Sequence, residues 1–243
     1  ARRLGVPEDR WVWFLGGGAA SEDPWNVSER PRFDACPAMS FAAEQAMARA
    51  GVTADDLDFF DLYSCFPVAV ELACEGLGIS ETDPRGLTLT GGLPYFGGPG
   101  NNYTLHGIAA MCEALRAKPG ASGLVTGNGW YLTKHSAGVY SSAPPARAPR
   151  PEPDAASARH PQGAVAVTQA PQGRAVVETY TVVSGRSGQP ETGIVVGRLD
   201  SGERFLAHTP QDPGLFDEWM TREAVGRRGH VRTESPVNIF TPE

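Results

Sequence analysis

Lysine is almost missing from this chain: Lys118 and Lys134 are the only two in 243 residues. Arginine does not make up the difference, since 21 basic side chains face 28 acidic ones for a net charge of −7. The deficit is spread evenly, with 12 basic against 16 acidic residues in positions 1–150 and 9 against 12 in positions 151–243. Neither part has the basic excess needed to hold a phosphate backbone, which argues against nucleic acid as a partner. Cysteine is scarce as well. Cys36, Cys65, Cys74 and Cys112 all lie in the first part, and none forms a Cys-x-x-Cys pair. That spacing suggests neither a zinc site nor a disulfide framework, so no metal is expected and a reducing cytoplasm fits best. No apolar run approaches the ~20 residues of a membrane-spanning helix. Ala1-Arg2-Arg3 leads into Leu4-Gly5-Val6-Pro7 without the apolar segment of a signal peptide. The expectation is a soluble globular chain, 41% hydrophobic and 20% charged, able to bury one large core or two smaller ones.

Glycine and proline, by contrast, are plentiful and clustered. Residues 91–100 (Gly-Gly-Leu-Pro-Tyr-Phe-Gly-Gly-Pro-Gly) hold five glycines and two prolines, a density that predicts a loop whose backbone approaches a ligand closely. Asn101, Asn102 and Tyr103 follow, and Gly127-Asn128-Gly129 and Thr133-Lys134-His135 come later. Residues 143–153 carry five prolines in eleven positions, which predicts an extended linker or surface strap and sets the domain bounds at 1–145, 146–162 and 163–243.

Before the linker, strands alternate with helices. Residues 11–15, 57–62, 123–126 and 139–141 read as short apolar strands, and residues 40–50, 66–76 and 103–117 as helices, the first stopped by Gly51. Thr53 to Asp56 reads as a capped turn. This order predicts a layered α/β domain, in which chemistry gathers at strand ends. After the linker the runs at 163–169, 174–183, 191–199 and 203–208 are β-rich, with a helix near 216–225 and a last strand near 229–233. Five or six short strands in so small a region predict a small all-β barrel of the oligonucleotide/oligosaccharide-binding type.

Taken on their own residues, several side chains suggest chemistry. Tyr63 ends a predicted strand, where a phenol can donate to a carbonyl oxygen or act as a base if a neighbour lowers its pKa. His106 lies one turn into the helix that Asn101 and Asn102 are placed to cap, and its imidazole is a possible partner for Tyr63. His135 follows the third glycine motif and is a candidate to face a cleft. Cys65 reads as a packed small residue, and Cys36, Cys74 and Cys112 as core. Tyr95, Phe96, Tyr103, Trp130 and Tyr131 either wall an acyl pocket or pack the glycine loops.

Residues 35–140 resemble the C-terminal half of a thiolase. Ala50-Gly51-Val52-Thr53-Ala54-Asp55-Asp56-Leu57-Asp58, the following strand and Tyr63-Ser64-Cys65-Phe66 run as in that family, where the strand ends in Asn-Glu-Ala-Phe or, in sterol-carrier-protein-type thiolases, His-Asp-Cys-Phe. The loop with Gly97-Gly98-Pro99 is similar to the thiolase Gly-His-Pro loop, and Gly127-Asn128-Gly129 stands where Cys-x-Gly belongs. Gly-Gly-Pro-x-Asn-Asn-Tyr and Thr-Lys-His strings, with a β-rich domain after them, resemble the actinobacterial thiolase-like proteins of type 1. The resemblance implies a layered βαβαβ domain, a missing N-terminal half that would carry the acylated cysteine, and a coenzyme A thioester as substrate or ligand, with no covalently bound cofactor. It places the family's catalytic slots at Tyr63, Gly98 and Asn128; with His106 and His135, which stand on their own positions, the candidate catalytic residues are Tyr63, His106, Asn128 and His135, and the candidate thioester-lining residues are Gly97, Gly98, Gly129 and Asn101. It also exposes departures, because Asn128 cannot ionise and Gly98 offers no side-chain donor, so ordinary thiolysis is not expected. The readings left open are an acetyl-CoA acetyltransferase-like acyl-CoA enzyme of lipid or sterol metabolism, retro-aldol cleavage of a β-hydroxyacyl-CoA, a non-catalytic acyl-CoA or lipid binder, and an interaction module that recruits a protein partner through its β-domain.

Overall fold

The structure, a computed structural model, describes residues 1–145, 158–161, 163–234 and 236–243. Ala1–Val27 and Arg32–Gln162 form one compact unit, and Ser28–Pro31 with Gly163–Glu243 form a second. Most of the proline-rich stretch predicted as a linker, residues 146–157, lies outside the described residues. No helix among those described is long and apolar enough to cross a membrane.

The first unit runs β1 (Trp13–Asp23), α1 (Pro37–Ala50), β2 (Phe59–Asp61), α2 (Pro67–Leu77), α3 (Leu93–Phe96), α4 (Tyr103–Ala117), β3 (Ser122–Gly129), β4 (Lys134–Ser141) and β5 (Ala158–Pro161). Its five strands lie in the order β2-β3-β4-β1-β5. β2 and β3 are parallel, β4 is antiparallel to both β3 and β1, and β5 lies parallel to β1. Strand alternation feeds two cores. Phe60, Leu124 and Val139 face the cluster built with Met39, Met47 and Leu72 of α1 and α2, while Val125 faces Met111 and Leu115 of α4. The sheet is therefore covered by helices on both faces, as an α/β layer requires.

Three differences from the sequence reading are physical. β1 does not stop at residue 15 but continues through Gly16-Gly17-Gly18, which look like a strand end because glycine weakens a strand. The glycines are there because α1 lies against them: a Cβ on Gly18 would overlap the Ala42 carbonyl oxygen, and one on Gly16 the Ala46 carbonyl oxygen. The second difference is in the glycine-rich loop, which folds one short helical turn, α3, with Pro94 inside its first turn. The third is that β3 and β4 are each eight residues long, because their ladder runs on from Ser122↔Ser141 to Gly129↔Lys134. Where the local signals were strong, element and terminus agree. α1 ends on Gly51 with φ 72°, and Thr53 forms a capping box with Asp56.

The second unit contains β6 (Gly173–Ser184), β7 (Pro190–Leu199), β8 (Arg204–His208), α5 (Pro213–Thr221), β9 (Arg228–Glu234) and β10 (Val237–Pro242). The strands close into a barrel in the order β10-β8-β7-β6-β9. Val177, Val195, Phe205, Val231 and Phe240 fill it, with Trp219 of α5. The residue 163–169 run predicted as a strand makes only an isolated bridge, Val167↔Arg204. The closing strand is β10 instead, which the sequence reading missed because it is short and bounded by Pro236 and Pro242. α5 starts earlier than the apolar pattern suggests, since the Asp212 carboxylate accepts from the Gly214 and Leu215 amides at 2.8 and 3.3 Å and Pro213 takes the first helical position.

One buried cation organises this unit. Arg204 is only 1% exposed, and its guanidinium donates to Glu178 at 2.5 Å and to the carbonyls of Ser28 and Arg30 at 2.7 and 2.6 Å. Glu178 also accepts from Arg198 at 2.6 Å. It stands where the β6–β7 register shifts between Val177 and Thr179, so a bulge re-aims its carboxylate. Burial alone would raise the Glu178 carboxyl; the two arginines outweigh it and hold it below the usual range.

Two outcomes follow. Gly18→Ala is expected to lower unfolding stability by about 1–3 kcal/mol or more, as overpacking does. Gly17→Ala should cost less, since its Cβ meets the movable Phe14 ring, 2.7 Å from Cζ, instead of a helix backbone. Denaturant unfolding of both variants checks this, and equal losses at the two positions would contradict the close helix–strand contact. Arg204→Met is expected to cost about 3–5 kcal/mol, because it strips a buried ion pair of one partner. Because the Glu178 pKa is lowered on folding, the stability it contributes is present above the unfolded carboxylate pKa and lost as pH falls through its folded value. Glu178→Gln should flatten that acid limb of the stability profile, and an unchanged limb would remove Glu178 from the account.

Candidate functional site

The end of β2 carries the site. Asp61 is fully buried and accepts from the Leu89 and Thr90 amides at 2.9 and 3.3 Å and from the Tyr103 hydroxyl at 3.2 Å. Burial pushes its carboxyl up against the pull of those three bonds. α4 can lie this close because Gly107 has no side chain; a Cβ there would sit 2.7 Å from Asp61 Oδ1. The Tyr103 hydroxyl also meets Thr90 Oγ1 at 2.6 Å, and Thr90 Oγ1 and Ser64 Oγ accept from the Gly92 and Leu93 amides, each at 3.1 Å. The glycine loop is thus tied at its start to the β2 end, and its tip stays exposed.

Past Asp61 the chain reaches Tyr63, whose amide donates to Thr126 Oγ1 of β3 at 2.8 Å and whose ring meets Tyr103 edge-on at 5.4 Å between centroids. Tyr63, Asn128 and His135, three positions from three separate motifs, line one narrow pocket with Met39, Thr126 and Ser136. Its volume of about 10 Å³ is the room of roughly one water. Burial raises the Tyr63 phenol, helped by the neighbouring Cys65 thiol, so it is a donor at neutral pH and not the activated base that a lowered pKa would give. Asn128 donates from Nδ2 to Cys65 Sγ at 3.6 Å, and its buried Oδ1 accepts no hydrogen bond among the described residues. Burial also raises the Cys65 thiol, which leaves it a protonated side chain and not a nucleophile.

The other positions fall elsewhere. His106 bonds the Asn102 side chain at 2.8 Å and stacks edge-on against Phe96 at 5.3 Å, outside the pocket that holds Tyr63. Asn102 occupies the N-cap position of α4, but with helical φ and ψ its side chain does not reach the first-turn amides and turns to His106 instead. Gly97, Gly98 and Asn101 are exposed, and Gly129 is paired with Lys134 at the end of the β3–β4 ladder. Among the aromatics, Tyr103 is buried and packs the loop, whereas Tyr95, Trp130 and Tyr131 are exposed.

A second cluster adjoins the pocket through His135. Its Nε2 lies 3.2 Å from Cys36 Sγ, and the same sulfur lies 3.2 Å from Glu22 Oε1, which also accepts from the Ala38 amide at 2.9 Å. All three side chains are buried, and their ligand-capable atoms fall within 4.8 Å of one another. Cys-x-x-Cys spacing gives no sign of this group, since Glu22 is the last residue but one of β1, Cys36 precedes α1 and His135 is the second residue of β4. Between Gly129 and Lys134 the connection is held with φ 57° at Trp130 and 54° at Leu132, a left-handed conformation that costs a non-glycine residue about 1–2 kcal/mol.

Comparison with known proteins agrees with this architecture. Residues 19–142 match the thiolase C-terminal domain-like family, and residues 157–235 match the additional C-terminal domain of thiolase-like protein type 1. The chain is similar to a monomeric SCP2-thiolase like protein type 1 from Mycobacterium smegmatis, known from its crystal structure, at 41% identity and a TM-score of 0.86. That match covers 99% of this chain and 52% of the other, so the chain spans about half the length of that relative. Two peroxisomal thiolase structures from Saccharomyces cerevisiae overlap more loosely. The 3-ketoacyl-CoA thiolase shares 18% identity over 53% of this chain and 34% of its own, with a TM-score of 0.40. The dimeric form shares 19% over 58% and 32%, with a TM-score of 0.39. No curated protein matches the chain. With family matches over both units and a relative that aligns along nearly its whole length, the chain belongs to the thiolase-like proteins of type 1, as a thiolase C-terminal domain followed by that group's additional C-terminal domain.

Proposed function

We propose that the protein of which this chain forms a part binds an acyl-coenzyme A thioester at the end of β2 and β3 and does not carry out ordinary thiolysis. The observation that carries this reading is the shared pocket of Tyr63, Asn128 and His135, in which the position of the family's acid/base cysteine is an amide. Tyr63, kept protonated by burial, and the Asn128 amide are donors suited to a thioester carbonyl, and neither takes up a proton at neutral pH. The pocket in this half is too small for an acyl chain, so the thioester would enter where the glycine loop and Gly129 meet the half of the fold that lies outside this chain. The backbone of Gly97 and Gly98, exposed in this chain, would line that entrance. A lipid- or sterol-derived acyl group is the substrate class that the resemblance to sterol-carrier-protein-type thiolases suggests. Retro-aldol cleavage by Tyr63 with His106 has less support, because His106 is engaged with Asn102 and Phe96.

Calorimetric titration of the full-length protein with acetoacetyl-CoA should show saturable binding, while a thiolysis assay under the same conditions shows no turnover. Tyr63→Phe should weaken binding by up to about tenfold, the worth of one hydrogen bond of about 0.5–1.5 kcal/mol. Robust thiolysis, or no binding at all, would overturn the assignment.

A further inference from the structure

We infer that Glu22, Cys36 and His135 form a zinc site, one that goes beyond the thioester reading and does not depend on it. The three side chains supply the atom types zinc accepts: a carboxylate oxygen, a thiolate sulfur and an imidazole nitrogen. In a tetrahedral zinc site, bonds of about 2.3 Å to sulfur and 2.0–2.2 Å to nitrogen and oxygen place ligand atoms about 3.3–3.6 Å apart. Cys36 Sγ stands 3.2 Å from both Glu22 Oε1 and His135 Nε2, near that spacing, and all three ligand atoms lie within 4.8 Å of one another, so side-chain adjustment within the cluster is what would admit the ion. The Leu132 carbonyl oxygen, 3.7 Å from the same sulfur, is a fourth donor, and it belongs to a residue held at φ 54°.

The arrangement of the three groups separates a ligand set from a nucleophilic triad. In a triad the histidine stands between nucleophile and acid, and the nucleophile reaches solvent or substrate. Here the sulfur stands between the carboxylate and the imidazole, and Cys36 is 6% exposed. Three ligand-capable groups within 4.8 Å of one another suit a shared cation better than a proton relay. On binding, the Cys36 thiol gives up its proton to solvent, the histidine binds as neutral imidazole, and the hydrogen bonds around the sulfur give way to metal bonds. Because the ligands come from the end of β1, the approach to α1 and the start of β4, the ion would cross-link three segments that are far apart in sequence.

The test uses the full-length protein. Elemental analysis after dialysis is expected to find stoichiometric zinc. Cobalt added to the metal-free protein should give a thiolate-to-cobalt charge-transfer band in the near ultraviolet, and added zinc should raise the thermal midpoint. Cys36→Ser should abolish the band and lower zinc affinity by more than about 100-fold, since loss of even an outer-shell partner costs about 10–100-fold. Cys112→Ser, which alters a cysteine on α4, should retain the band. If Cys36→Ser fails to fold, His135→Asn should still lower zinc affinity and shift the cobalt spectrum. A wild-type protein with neither zinc nor a cobalt band, or a band that survives Cys36→Ser, would overturn the site.

Discussion

The first unit rests on a contact between backbones. Where α1 crosses β1 the strand presents Gly16 and Gly18 on one face, and the helix answers with alanines, so the Ala42 and Ala46 carbonyls sit where strand side chains would otherwise be. This removes a layer of side chains between helix and sheet. It sets the position of everything that leaves the N-terminal end of α1, including Cys36, and of what leaves the end of β1, including Glu22. α4 repeats the device on the other face, where Gly107 lets the helix approach Asp61. Small residues bring segments close enough for buried polar groups to meet, and the functional geometry depends on that closeness.

The site that results is supported from beneath. Asp61, Tyr103, Thr90 and Ser64 anchor the glycine loop to the end of β2, and Thr126 fixes the backbone at Tyr63. The polar groups of that foundation hold one another, which is how a buried network becomes rigid. Beside it, burial raises the Tyr63 phenol, the side chain at position 128 is an amide, and His135 lines the same pocket. The barrel unit is organised differently, around Arg204 and a bulged Glu178, with burial and paired arginines setting the charge state of the carboxylate.

Much of this was legible in the sequence because it is local. Gly51 as a helix stop, the Thr53 capping box and the apolar spacing of α4 each depend on a few neighbouring residues, and so does the alternation that marks β6 and β7. The thiolase resemblance was carried by motifs of three to seven residues, and the fold brings Tyr63, Asn128 and His135 to one pocket although they are 65 and 72 residues apart from first to second and first to third. The readings that failed are those for which local signals are ambiguous. Gly16 to Gly18 look like a strand end until a helix is seen against them, and Asn102 looks like a cap until its own φ and ψ aim it at His106.

By itself, then, the sequence determined most of the element types and the family, since periodicity, turn residues and short motifs act over a few residues. Only the tertiary structure decided which polar groups face each other. The pairing of Cys36 with Glu22 and His135 spans three separate segments, and nothing in the spacing of those residues announces it. The same holds for Arg204, which reads as one more surface arginine until folding buries it among the Ser28 and Arg30 carbonyls. Burial and approach are properties of the packed chain, and they set both the pKa of Tyr63 and the company kept by Cys36.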